Sequence, residues 1–228
     1  MGQFFFENQI NFLEKKFLTI QTKSPLQFEP FPGNLNTERV LVPIGGGKDS
    51  IVTLEYFKKL KKQQVLFCLN PKEHHKKIIR ISKVKEKIFV ERQIDPLLLK
   101  LNKKGFLNGH TPFTAYLSFL SILLGVFKDC KFVAFSNGKS SEEGNVLYLG
   151  KVINHQYSKS KEFEEKFQKY TKSYLAKKIE YFSALRSFLD LEISALFSQF
   201  PQYFNVFLSC NKALTLKSKK KLTWCGKC

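Results

Sequence analysis

Apolar residues recur along this chain in two alternating rhythms. Val40, Leu41, Val42 and Ile44 form a short run with β-branched members, as a strand buried on both faces requires. Gly45, Gly46 and Gly47 interrupt it. Ile51, Val52, Leu54, Phe57 and Leu60 then return at helical spacing while Lys58, Lys59, Lys61 and Lys62 stay on the wet side, which predicts a helix capped by Asp49 or Ser50. The exchange repeats downstream. QVLFCL at 64–69 reads as a second buried strand ended by Asn70-Pro71, 72–84 as a basic helix, KIFV at 87–90 as a third strand and 96–102 as a helical turn closed by Gly105. Thr111 and Pro112 predict the cap and first position of a helix over 112–128, which is apolar nearly all round and so belongs beside the sheet. KFVAF at 131–135 is the next strand, and the polar loop 136–145 (SNGKSSEEGN) leaves its carboxyl end on the same rim as 45–50.

The two ends of the chain differ from this middle. Residues 1–38 carry QFFFE and KFLTIQ as candidate strands and then the breaker-rich SPLQFEPFPGNLN, which predicts an N-terminal β element and a linker. VINHQYSKSKEF at 152–163 is dense in donors and acceptors and suggests a contact surface. A helical hairpin follows, 162–179 and 182–200, and then a tail with Ser209-Cys210-Asn211, a lysine run and Trp224-Cys225-Gly226-Lys227-Cys228. The whole predicts an α/β fold, a doubly wound, mostly parallel sheet spanning 39–153, between the N-terminal element (1–38) and a helical, cysteine-containing region (154–228).

Composition sharpens this only in part. The chain has 228 residues, enough for one well-packed domain with an appendage. Its 38 basic against 19 acidic residues give a net charge of +19, which suits nucleic acid, an anionic membrane surface or a polyanionic small substrate. Only Arg39, Arg80, Arg92 and Arg186 are arginines, however, and arginine is the residue favoured for bidentate phosphate recognition. Abundant Lys, Phe, Ile and Asn also fit an A/T-rich coding bias carried on solvated faces, so the charge alone selects no partner. The longest apolar stretch, 113–127, is broken by Thr114, Ser118, Ser121 and Gly125 and is short for a bilayer, and MGQFFFENQI lacks the features of a signal peptide. These predict no membrane span and a cytoplasmic location. Five cysteines, an odd number, argue against a disulfide framework.

The chemistry concentrates at GGGKDS, residues 45–50. Consecutive glycines let the backbone approach a ligand, and the unpaired amides at a helix start favour phosphate. Lys48 adds a mobile charge and Ser50 a hydroxyl. The pattern is neither G-x-x-x-x-G-K-[ST] nor G-x-G-x-x-G. It resembles the S-G-G-x-D-S loop of the PP-loop ATP pyrophosphatases, with Gly45 where that superfamily usually has Ser.

Taken in order, VPIGGGKDS, NGHTPFTAYL, SNGKSSEEGN, NHQYSKSKEFE, YFSALRSF, FLSCN and WCGKC resemble the UDP-N-acetyl-α-D-muramoyl-L-alanyl-L-glutamate epimerases of peptidoglycan synthesis, from about Val42 to Cys228. The resemblance implies a PP-loop (adenine nucleotide α-hydrolase) fold and an isomerase. Such an enzyme uses ATP to adenylate the terminal L-glutamate of UDP-MurNAc-L-Ala-L-Glu, releases pyrophosphate, inverts the α carbon and hydrolyses to the D-glutamyl product and AMP. It implies that Gly45, Gly46, Gly47, Lys48, Asp49 and Ser50 hold the phosphates, with Asp49 placing Mg²⁺. Ser136, Asn137, Glu142, Glu143 and Asn145 fit contacts to the nucleotide or Mg²⁺, and Asn154, Gln156, Tyr157 and Arg186 contacts to the substrate. His155 is the first candidate base and His110 the second, each reading equally as a structural histidine, and Lys159 is a third candidate for the reaction or for binding the substrate's phosphates. Cys210, Cys225 and Cys228 offer three thiolates of a zinc-type site or ordinary reduced thiols, with a redox C-x-x-C a further option. Two departures stand out: Gly138 replaces an acidic residue of the family's SN block, and the cysteine cluster, which runs on in the family, stops at Cys228, as in a truncated chain. The competing reading is a PP-loop tRNA-modifying enzyme, which the basic charge suits. Under the epimerase reading nucleic acid is not an expected partner.

Overall fold

The computed structural model describes residues 1–14, 17–109, 111–210 and 224. The chain opens with α1 (Gly2–Glu7), followed by β1 (Asn36–Pro43), α2 (Lys48–Lys59), β2 (Gln63–Leu69), α3 (Glu73–Ser82), β3 (Glu86–Val90), α4 (Pro96–Lys103), α5 (Phe113–Phe127) and β4 (Cys130–Phe135). A two-stranded antiparallel ribbon, β5 (Val146–Tyr148) and β6 (Lys151–Ile153), precedes α6 (Lys161–Tyr170), β7 (Glu180–Ser183) and α7 (Asp190–Phe197).

The main sheet has the order β3-β2-β1-β4-β7, and every neighbouring pair is parallel. The predicted doubly wound α/β architecture is therefore present. Side chains alternate across it as the period of a strand demands. Val40 and Val42 of β1 join Ile51, Leu54, Ile78, Leu185 and Ile193 in one buried core, whereas Leu41 points to the other with Val133, Ile122, Phe167 and Tyr181. Helices α2, α3 and α7 thus cover one face, and α5 and α6 the other. Strand order reverses between β1 and β4, and in such sheets the crevice at the carboxyl ends beside the reversal is where ligands bind.

Three expectations are corrected. Residues 2–7 are helical, not a β element: a short apolar run does not distinguish the two, and aromatic packing decides, with Phe5 against Phe12 (5.3 Å) and Phe6 against Tyr148 (5.6 Å). Residues 17–22 form no strand either, and Phe31 contributes a single isolated bridge to Ala176. The helical hairpin over 162–200 is broken by β7, so the region begun at 154 supplies an edge strand to the sheet of 39–153. Tyr181 is the reason: it is buried on the sheet and its hydroxyl meets Ser118 of α5 at 2.9 Å, which a helical path would not allow. Finally, α5 takes Pro112, not Thr111, at its cap, and is not buried all round. Its small residues Ser118, Ser121 and Gly125 face the sheet, where a β-carbon at Gly125 would lie 2.8 Å from Ile179 Cδ1, while Phe113, Tyr116, Phe119, Leu123 and Phe127 are exposed. Among the described residues no helix is long and apolar enough to cross a membrane.

Candidate functional site

The glycine loop leaves β1 at the strand-order reversal and enters α2 after four residues, 44–47. Gly46 has φ +82, the left-handed region open to glycine, and Gly47 stands at the cap with φ −90 and no capping side chain. Neither Asp49 nor Ser50 caps the helix as expected. Both lie inside its first turn, and the Ser50 hydroxyl donates to Gly47 O at 2.9 Å. The cap is supplied from far away: Lys48 N donates to Ser209 Oγ at 2.9 Å. Among the described residues nothing accepts from the amides of Gly45, Gly46, Gly47 or Asp49, which leaves a set of donors at the positive end of α2.

Charge converges on this loop. Lys48 Nζ bridges Asp49 Oδ1 at 2.6 Å and Asp190 Oδ1, from the start of α7, at 3.3 Å. Burial pulls the Lys48 ammonium down, but Asp49 and then Asp190 lift it above its ordinary value, so it stays charged. Lys159 faces the same two carboxylates. Burial lowers its pKa against their attraction, and its ammonium donates to Gln156 Oε1 at 2.8 Å. Two lysines and two carboxylates from three segments thus meet beside the free amides.

Beneath the loop lies a pair that sequence reasoning missed. His74 and His75 open α3 with ring centroids 3.8 Å apart. Lys72 N donates to His75 Nδ1 at 3.0 Å, so Nε2 carries the proton and donates to Gly45 O at 3.2 Å. Burial and then the neighbouring His74 push the His75 pKa down to about 4. The His74 ring is buried, both of its nitrogens lack a hydrogen-bond partner among the described residues, and burial followed by Lys72 lowers its pKa too. A β-carbon at Gly46 would lie 2.6 Å from His74 Nε2, so only glycine lets the ring approach. The detectable signal was positional: His74 follows the carboxyl end of β2, on the rim of the loop.

The second loop of the rim, after β4, is tied to its surroundings. Asn137 Nδ2 donates to Ser183 Oγ at 3.0 Å, while Ser136 Oγ is buried without a partner among the described residues. Arg186, whose side chain is 14% exposed, pairs with Glu164 at 2.7 Å and Glu142 at 3.6 Å and donates to Gly138 O at 3.4 Å. Its fork is thus engaged by groups of the chain itself. Gly138 packs so closely that a β-carbon would meet Ile193 Cδ1 at 2.7 Å and Phe188 O at 3.1 Å. Glu143 is exposed and belongs to none of these contacts.

The 154–160 segment is likewise ordered by its own polar groups. Asn145 Oδ1 accepts from His155 N at 2.8 Å, Asn154 bridges Gln156 N (2.7 Å) and Ser141 O (3.0 Å), and Ser141 Oγ donates to Lys159 O at 3.1 Å. His155 itself does not join the loop cluster. With Asn154, Tyr157, Ser158, Phe163 and the first residues of α1 it lines a separate cleft of about 430 Å³. Tyr157 accepts from Lys166 Nζ at 3.3 Å. Cys210 is buried next to Ser209, whereas His110, Cys225 and Cys228 lie outside the described residues.

Fold and rim together define a doubly wound α/β protein with a glycine-rich loop of open amides where its strand order reverses. Residues 1–184 match the family model described as the MurL N-terminal domain, and the chain belongs to that family. Curated relatives named UDP-N-acetyl-α-D-muramoyl-L-alanyl-L-glutamate epimerase include those of Micromonospora sp., 36% identical over 190 residues, and of Xanthomonas oryzae pv. oryzae, 31% identical over 192. The alignments take in 83% and 82% of this chain and 42% of each relative, so the chain spans well under half the length of the proteins it matches. Among solved structures, the U34-tRNA thiolase NcsA from Methanococcus maripaludis aligns at a TM-score of 0.48 with 14% identity over 77% of this chain and 59% of that one, too remote to bear on function.

Proposed function

We propose that this chain is the nucleotide-binding part of a UDP-MurNAc-L-Ala-L-Glu epimerase that activates the terminal glutamate with ATP. The observation that carries the reading is the convergence of Lys48, Asp49, Lys159 and Asp190 on the open amides of the glycine loop, in a chain of the MurL N-terminal family.

The free amides and the Lys48 ammonium bind the β and γ phosphates, where fixed donors need no reorganisation as charge moves. A glutamate carboxylate oxygen attacks the α phosphorus, pyrophosphate leaves, and an acyl adenylate results. That activation matters because removing the α proton of a free carboxylate would place two negative charges on one small unit, whereas the mixed anhydride delocalises the carbanion as an enolate. Proton removal on one face and return on the other inverts the centre. Water then cleaves the anhydride to the D-glutamyl carboxylate and AMP. Lys159, buried and poised beside the carboxylates, neutralises the phosphoryl group or exchanges the proton, and His155 serves a substrate reaching into its cleft. His110 is kept as the second candidate base. Asp49 and Asp190 already converge on one cationic atom, Lys48 Nζ, and that donor set fits Mg²⁺, which would neutralise the departing pyrophosphate. Cys210, with Cys225 and Cys228, is proposed as a thiolate set for Zn²⁺.

The test is pyrophosphate release from ATP and Mg²⁺ by the 228-residue chain, offered UDP-MurNAc-L-Ala-L-Glu or bulk tRNA, with chiral analysis of the glutamate freed from the product by acid hydrolysis. Stimulation by the dipeptide and appearance of D-glutamate are expected. Stimulation by tRNA alone would transfer the site to the tRNA-modifying class.

A further inference from the structure

The segment 207–210 runs across the mouth of the glycine loop. Leu208 and Cys210 are buried at 5% and 2% exposure, and Ser209 between them is exposed and turned to the loop. Leu208 N donates to Gly46 O at 2.9 Å, and Ser209 Oγ accepts from Lys48 N at 2.9 Å. A β-carbon at Gly47 would fall 2.9 Å from that hydroxyl and 3.6 Å from Ser209 Cα. Since φ −90 is open to any residue, Gly47 is glycine to admit Ser209, not to satisfy its own backbone. Helix α2 therefore has its capping hydroxyl delivered in trans, and the space above Gly46 and Gly47 holds no side chain of the loop itself. The serine oxygen accepts from the first helical amide, and among the described residues no acceptor takes its proton.

A second observation points independently to a ligand at this place. His74 is 8% exposed, abuts Gly46 and has two buried ring nitrogens without a hydrogen-bond partner among the described residues. Buried polar atoms in native proteins are nearly always satisfied, and orphans gathered against an anion loop are accounted for by a polar group that binds there.

We propose that Ser209 is a phosphate-contacting residue of this site: held by the Lys48 amide, its hydroxyl donates to a phosphoryl oxygen of a bound polyphosphate and closes the cradle from the C-terminal segment. The inference rests on reading the glycine loop as the phosphate site. It assigns a role to FLSCN, a block whose serine had none.

Calorimetric titration of the 228-residue chain with Mg²⁺-ATP and with inorganic pyrophosphate tests it. Ser209→Ala should weaken both by roughly tenfold to a hundredfold, the worth of one hydrogen bond to a charged acceptor. Ser209→Thr, which keeps the hydroxyl, should bind like the parent, and Ser209→Cys, a poor donor of similar volume, should fall between. Melting temperatures ensure that every variant is compared while folded. Affinity for both probes unchanged in Ser209→Ala would overturn the proposal, and tighter binding would overturn it by marking the hydroxyl as a competitor for the anion's place. A parent chain that binds neither probe would instead remove the phosphate-site reading itself.

Discussion

The two glycine-containing loops on the sheet's carboxyl rim follow adjacent parallel strands, yet they are built in opposite ways. Among the described residues, the loop after β1 leaves amides without acceptors and holds its few bonds at the edges, through Ser209, Leu208 and His75. The loop after β4 is tied from every side by Arg186, Ser183, Phe188 and Lys159. Similar composition thus serves two ends: open donors suit a ligand, whereas the second loop, with Ser136 Oγ the exception, is held in shape by its own contacts.

The contrast can be broken first from the tied side. Arg186→Ala leaves Glu164, whose side chain is 10% exposed, as an uncompensated buried charge. A loss of about 3–5 kcal/mol is expected in urea denaturation, the cost of removing one partner of a buried pair. On the open side, Gly46→Ala forces an L-residue to φ +82 and drives its methyl into His74. It should cost about 1–3 kcal/mol and abolish ATP binding, while Gly45→Ala, whose methyl would meet nothing within 4 Å, should leave the denaturation midpoint in place. Equal costs at the two glycines would contradict the described contact.

The smallest expected effect is a dependence on pH. His75 is depressed from 6.5 to about 4, so below its unfolded value the unfolded chain takes up a proton that the folded chain refuses. Stability is full above that value and falls as the pH drops through the window between the two, on the order of 1 kcal/mol by about pH 5.5. His75→Gln should flatten this slope in denaturation curves taken across the window, and an unchanged slope would show that the imidazole is not held neutral beneath Gly45.

Much of this was readable in the residues. The β1–loop–α2 unit, β2, α3, β3 and β4 appear where the apolar periods put them, because each combines a strong period with a clear breaker. Lys48, Asp49 and Lys159 do gather at one place. What periodicity could not disclose depends on distance along the chain. Asp190 and Ser209 reach the loop from beyond β7, and the same apolar spacing that reads as a helix over 182–200 also satisfies a short strand followed by a shorter helix. Nor does a formula of charges reveal that Glu164 and Glu142 lie beside Arg186.

By itself the sequence determined the alternation of strands and helices, the sharp glycine turn and the type of chemistry that turn invites, since all three follow from local sterics and the burial of nearby apolar residues. Only the tertiary structure decided which charges face the turn, which glycine makes room for which side chain, and that the helix cap arrives from 161 residues downstream, because such contacts form between segments whose separation no local rule encodes.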